Sequence, residues 1–209
     1  MRVTALYEQR IDRLLAREQP LYARTIRLLP PRLVPTVRDP VIAKRELDAI
    51  TPMSPLRRIR VGPALPPGTL LRYYREGERR FGVAWQVLAA VNFVETAFGK
   101  VRNASPAGAQ GPMQFMPSTW RAYGLGGNIR DPHDAIVAAA NYLHASGAPR
   151  DYGRALHAYN PSGGYVDAVL RYARRIRLDW RAFYRFYSWQ VIVRTPSGDR
   201  RLTGPGLGR

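Results

Sequence analysis

The longest apolar run in the chain, Phe81 to Val94, is 14 residues. A membrane-spanning helix needs roughly 20, so the run reads as part of a packed soluble core. The segment Val83 to Phe98 is the strongest helix signal in the sequence. It is rich in alanine, carries Trp85, Leu88, Val91 and Phe93 on or near one face, and has Gly99 just past its end. A chain of 209 residues that is 45% hydrophobic can bury a core of this kind. Its length fits one domain of roughly 100–200 residues with appendages. The absence of cysteine excludes a disulfide framework and any thiolate metal or redox centre.

Other helices follow around this one. Residues 4–18 have the spacing of a short amphipathic helix, with Leu6, Ile11, Leu14 and Leu15 along one side. Glu8, Arg10, Asp12 and Arg13 interrupt any apolar stretch there, so no secretory signal is visible. Residues 30–67 hold nine prolines. Because proline removes backbone donors and restricts its neighbours, the stretch predicts little packed structure beyond a short helix at Val41 to Ile50. Residues 1–67 therefore read as an extended N-terminal arm and linker. The segment 68–178 reads as a mainly α-helical domain. Thr69 is a candidate cap for a helix through Glu78, and residues 103–112 form a Gly/Pro/Ser-rich loop. Helices are predicted at Met116–Tyr123, from Asp131-Pro132 through Tyr142, at Tyr152–Tyr159 and at Gly164–Arg177. Residues 179–209 read as an aromatic and basic extension with a small β-hairpin. Trp189–Val193 is its first strand, Pro196–Asp199 its turn and Arg200–Thr203 its return. The dense aromatics of 183–189 predict a clasp on the helical core, with sugar stacking as the competing role.

The formal net charge of +18 points to an anionic partner: nucleic acid, anionic lipid or an anionic wall polymer. Arginine supplies 31 of the 33 basic residues. Arginine-rich coding can produce that bias, so the charge alone does not choose among them.

The motifs for nucleotide and serine-hydrolase chemistry are missing, and His133, His144 and His157 have no clear metal-ligand spacing. No metal site or cofactor is expected. Between Phe81 and Tyr172 there are five acids: Glu95, Asp131, Asp134, Asp151 and Asp167. The four aspartates stand at or near helix starts, where carboxylates cap and meet the positive end of the dipole. Glu95 differs. It lies near the end of an apolar helix beside Phe93, Val94 and Phe98, where desolvation and the helix dipole both raise a carboxyl pKa toward that of a general acid. A solvent-facing glutamate is the plain alternative.

Glu95-Thr96-Ala97-Phe98-Gly99 is followed by Gly108-Ala109-Gln110-Gly111-Pro112-Met113-Gln114-Phe115-Met116-Pro117-Ser118-Thr119, and later by Ala158-Tyr159-Asn160. In this order the motifs resemble the lytic murein transglycosylases with a goose-lysozyme-like SLT domain, most closely the membrane-bound lytic transglycosylase B-like branch. The resemblance covers about residues 70–178. It implies a lysozyme-like helical fold and cleavage of peptidoglycan between N-acetylmuramic acid and N-acetylglucosamine. The implied product is a 1,6-anhydro end, made by one glutamate, Glu95, acting as acid and then base. Ser105, Gln114, Tyr159 and Asn160 match substrate-binding positions, and Met113 and Phe115 match apolar groove positions. On residue type alone, Ser105 serves equally as a turn residue, and Met113 and Phe115 equally as core.

The expected partners are peptidoglycan strands, plus anionic wall polymers held by the basic arm, with no specific nucleic-acid binding and no membrane span. The family works outside the cytoplasm. This chain departs from many relatives at Gln110, where methionine is common, and at Pro161-Ser162, where Ala-Gly follows the Ala-Tyr-Asn match. Three other readings compete: a muramidase using Glu95 with water, a non-catalytic wall-binding module, and a basic nucleic-acid binder.

Overall fold

A computed structural model of the chain describes residues 2–51 and 59–204. Among them are ten α-helices, one 3-10 turn and one two-stranded antiparallel hairpin. Helix α5 (Trp85–Thr96) runs through the middle. It buries Trp85, Val87, Leu88, Ala89, Ala90 and Val91 against α4 (Pro67–Phe81), α7 (Pro132–Ala145) and α9 (Gly163–Leu178). Burying the valine, leucine and tryptophan side chains contributes about 2 kcal/mol each. That exceeds the few tenths by which most residues differ in helix propensity, so packing holds α5 in place. Small residues let the helices approach closely. A Cβ at Gly77 of α4 would lie 2.9 Å from Leu88 and 3.0 Å from Ala140. Residues 135–140 of α7 are all buried.

The N-terminal third is not an extended arm. It forms α1 (Arg2–Arg17), α2 (Gln19–Leu28), the 3-10 turn Pro31–Leu33 and α3 (Val34–Ile50). Helix α3 lies along α9, and α1 packs on both α3 and α10 (Arg181–Ser188). The prolines mislead because their positions suit helices. Pro35 falls in the first turn of α3, where its missing N–H costs nothing. Pro40 stands inside α3 with its ring buried in the α3 contact face, where packing offsets the lost backbone bond. Beside it Asp39, fully buried, accepts hydrogen bonds from both the Nε and the terminal nitrogen of Arg174 and pairs with Arg171. This network ties α3 to α9. The part of the predicted linker at 52–58 lies outside the described residues.

Two further boundaries differ. Pro66, not Thr69, precedes the first turn of α4. The C-terminal segment begins with a helix, α10, before the hairpin. Ala182, Phe183 and Phe186 recur at helical spacing and are buried, a period hidden by the density of aromatics. Phe183 packs edge-on against Trp85 and Phe98 at 6.0 and 5.5 Å, and Phe186 stacks on Phe93 at 5.4 Å. The hairpin then pairs β1 (Ile192–Thr195) with β2 (Gly198–Arg201), Thr195 opposite Gly198. It starts three residues later than the sequence predicts.

Candidate active site

Helix α5 ends abruptly one residue after Glu95. Ala97, Phe98 and Gly99 all take positive φ, at 51°, 65° and 81°, and the Phe98 N–H returns to the Asn92 carbonyl at 3.1 Å. Left-handed alanine and phenylalanine are costly by about 1 kcal/mol each, so the surroundings must hold them. Thr96 does much of this. Its hydroxyl accepts from the Gly99 N–H at 2.9 Å and donates to the Pro112 carbonyl at 2.6 Å. Asn92, whose Oδ1 accepts from Tyr74 at 2.6 Å, donates to the same carbonyl at 2.8 Å. The final turn of α5 and the loop carrying the Gly-Pro-Met-Gln-Phe run are thus fixed to one another in a buried hydrogen-bond network.

The loop is closed by its own backbone. Gln110 and Phe115 exchange both hydrogen bonds, at 2.8 and 2.9 Å. Gly111 sits at φ 76°, with the Ile129 carbonyl oxygen only 1.8 Å from where a Cβ would stand. Glycine is therefore required on two counts. Gln114, at φ 49°, folds its side-chain amide back to donate to the Gly111 and Asn103 carbonyls at 2.9 and 3.3 Å. Ser105 accepts from the Ala109 N–H through Oγ at 3.0 Å, which leaves its own hydrogen available as a donor. Met113 is fully buried and Phe115 is 2% exposed. Neither side chain has surface to offer a sugar, so the apolar-groove role gives way to packing. Phe115 sits among Trp120, Tyr142 and Tyr159.

The Glu95 carboxyl has one hydrogen-bond partner among the described residues: the hydroxyl of Tyr165, which donates to Oε1 at 2.7 Å. No cation pairs with it among those residues. Part of the residue remains open to solvent, yet its carboxyl lies deep enough that burial pushes its pKa up to about 7, against the opposing pull of the Tyr165 hydrogen bond. The Tyr159 hydroxyl donates to the Met113 carbonyl at 2.7 Å. Burial first, and then the nearby Glu95 charge, raise its pKa well above that of an ordinary tyrosine. Asn160 caps the end of α8 (Tyr152–Tyr159), and its side chain makes no hydrogen bond among the described residues.

The structure therefore gathers Glu95, Tyr159 and the Met113 backbone, and adds Tyr165. It shows no direct bond from Ser105, Gln114 or Asn160 to the carboxyl. The sequence motifs do not single out Tyr165. It begins a buried stripe through Ala168, Val169 and Tyr172. A tyrosine on such a stripe needs a partner for its hydroxyl, and that need is the signal that points to it.

The other acids are committed elsewhere. Asp131 accepts from the His133 and Asp134 N–H groups at the start of α7, and Asp151 from Arg154 at the start of α8. Asp167 pairs with Arg171 at 2.5 Å. Asp131, His133 and Asp134 bring potential ligand atoms within 4.8 Å of one another. Asp134 accepts from Asn128 N–H, and His133 Nε2 lies 3.0 Å from Glu76, whose hydrogen bond raises the imidazole pKa. The group reads as a hydrogen-bonded cap between α4 and α7.

Glu95 also borders a cavity of about 200 Å³ whose remaining wall comes from α1, α3, Tyr172 and the segment before β1. Asp12 and Lys44 line it. Burial, reinforced by the charge of Glu8, pushes Asp12 up to about 8. Burial first, then Arg13, lowers Lys44.

A family model for the Transglycosylase SLT domain matches residues 72–177. That span runs from within α4 to the last turn of α9 and contains Glu95, the 105–115 loop, Tyr159 and Tyr165. No curated protein and no solved structure matches the chain.

Proposed function

Because this chain belongs to the SLT-domain transglycosylase family, whose members act on peptidoglycan, we propose that it is a lytic transglycosylase with Glu95 as its single acid–base group. The observation that carries this reading is a carboxyl in the last turn of α5 with a pKa of about 7, one tyrosine partner and no cationic partner. At neutral pH such a group is divided between its two forms, so it can donate a proton and later accept one. Within the family, the Gly108–Thr119 run supports assignment to the membrane-bound lytic transglycosylase B-like branch.

In the first step, protonated Glu95 gives its proton to the oxygen between N-acetylmuramic acid and N-acetylglucosamine, and the bond from that oxygen to C1 breaks. The substrate's own acetamido group stabilises the cationic C1, a substitute for the second carboxylate of ordinary glycosidases. In the second step, ionised Glu95 takes the proton of the muramoyl C6 hydroxyl, whose oxygen closes on C1. The product is a 1,6-anhydro end, and no water is consumed. Tyr165 holds Oε1 and favours the ionised state that the second step needs. Asn160 and the Ser105 hydroxyl are the polar groups best placed by sequence motif to contact sugar, while Gln114 shapes the loop. The substrate places the enzyme outside the cytoplasm, at the wall, where the net charge of +18 favours retention on anionic polymer.

Digestion of purified sacculi tests the proposal. The wild-type chain should release fragments lighter by one water than hydrolysis products. Glu95→Gln keeps the shape but cannot give a proton, and should lower the rate by about a thousandfold or more. Hydrated ends from an active wild type would make the enzyme a muramidase. Retention of a tenth of the activity by Glu95→Gln would remove Glu95 from the reaction.

A further inference from the structure

We infer that α1 and α2 form a docking surface for an anionic phospholipid bilayer. Helix α1 buries Ala5, Asp12 and Leu15 on one side. On the other it presents Tyr7, Ile11 and Leu14, spaced i, i+4, i+7 and 61%, 53% and 49% exposed. Helix α2 buries no residue at all, and its Leu21 and Leu28, seven positions apart, are 42% and 74% exposed. Single exposed leucines are ordinary on soluble proteins. A stripe repeated on two successive helices marks a surface that contacts something apolar.

Charge identifies the partner. Residues 2–33 contain seven arginines and three acids. Arg10, Arg24, Arg27 and Arg32 are exposed and have no carboxylate partner among the described residues. Beside α1 lies a groove of about 530 Å³ lined by Arg10, Arg13, Arg17 and Arg201 next to the aliphatic Leu6 and Leu14; its one carboxylate, Asp199, pairs with Arg13 and Arg17. Guanidinium groups bordering leucines match a layer of phosphates bordering acyl chains. A soluble polyanion would engage the arginines and leave the leucines in water. A second copy of the chain would set arginine against arginine. The surface is remote in sequence from the SLT segment and stands independently of the reaction at Glu95.

Co-sedimentation of the full chain with vesicles tests it. We expect binding to mixed phosphatidylcholine–phosphatidylglycerol vesicles, weakened by high salt, and little binding to pure phosphatidylcholine. The double variant Ile11→Glu/Leu14→Glu should reduce binding to the anionic vesicles at least about tenfold. Arg24→Gln/Arg27→Gln should reduce it by about fivefold per arginine. All four positions are exposed, and thermal melts by circular dichroism check that the variants stay folded. The inference is overturned by no binding to anionic vesicles, by binding that the Ile11/Leu14 variant leaves unchanged, or by self-association lost in that variant without any vesicle binding. Retention on soluble polyphosphate alone would likewise assign the arginines to a polymer instead.

Discussion

The role proposed for Glu95, giving and later taking one proton, suits a carboxyl of which neither form is strongly favoured, and two opposed effects set that balance. Burial raises its pKa; the Tyr165 hydroxyl lowers it by bonding to the charged form. The first step needs the protonated form, so kcat/KM should fall as pH rises through about 7. Tyr165→Phe removes the stabiliser of the anion. The pKa then rises further, and the falling limb of the pH–rate profile should move to higher pH by about one unit. Activity at neutral pH should drop as well, because a carboxyl held by one bond becomes free to turn. A falling limb that does not move would show that Tyr165 acts only by packing. The apolar residues around Glu95 leave a solvent-facing glutamate open, and it is the Glu-Thr-x-x-Gly and Gly-Pro-x-Gln-Phe motifs together that single it out as a candidate. Tyr165 was not legible in the sequence, because its partner lies 70 residues away and no local pattern reveals such a pairing.

At the scale of elements, the site depends on a helix end and a loop locked together at the Pro112 carbonyl. The Glu-Thr pair in the motif has a division of labour: the acid faces the site while the threonine hydroxyl fastens the loop behind it. The Gly-rich run has a similar logic at Gly111. Gly111→Ala would set a methyl group against the Ile129 carbonyl and strain a positive φ. It should destabilise the protein by roughly 2 kcal/mol or more and lower activity, measurable together as urea midpoint and sacculus clearing. Unchanged stability would mean that the 111 and 129 backbones separate easily. The helices of the SLT segment were legible from their caps and periods, with Asp131 and Asp151 both placed as the pattern required. Helix α3 was obscured by proline content, which reports missing donors and not the position of each proline within a turn. Helix α10 was obscured because aromatic residues suit strands and buried helix faces alike.

For the whole molecule, α3 and α9 act as a single brace. Asp39 on α3 is fully buried and holds Arg171 and Arg174 of α9, the helix whose first turn presents Tyr165 to Glu95. Asp39→Ala removes the carboxylate that holds Arg174, while Arg171 keeps Asp167. The 23% and 39% side-chain exposure of Arg171 and Arg174 lets water compensate in part. The expected loss is about 2–3 kcal/mol, read from urea unfolding. A change below about 0.5 kcal/mol would reduce the network to an ordinary surface ion pair. Because the braced helix α9 also carries Tyr165, the variant should also blunt activity at temperatures well below unfolding.

The cavity beside Glu95 has one wall from the end of α5, Val101 and Tyr172 of α9, and another from α1, α3 and the segment leading into β1. A shortened version cut at residues 72 and 177, where the family resemblance stops, would keep every motif and discard that second wall. It would bare Tyr172, Ala173 and Ile176, now shielded from water by their neighbours. The heritable signature of this enzyme is therefore smaller than its mechanical unit, and anyone dissecting the gene by sequence landmarks would recover the chemistry's parts list without the frame that keeps it in register.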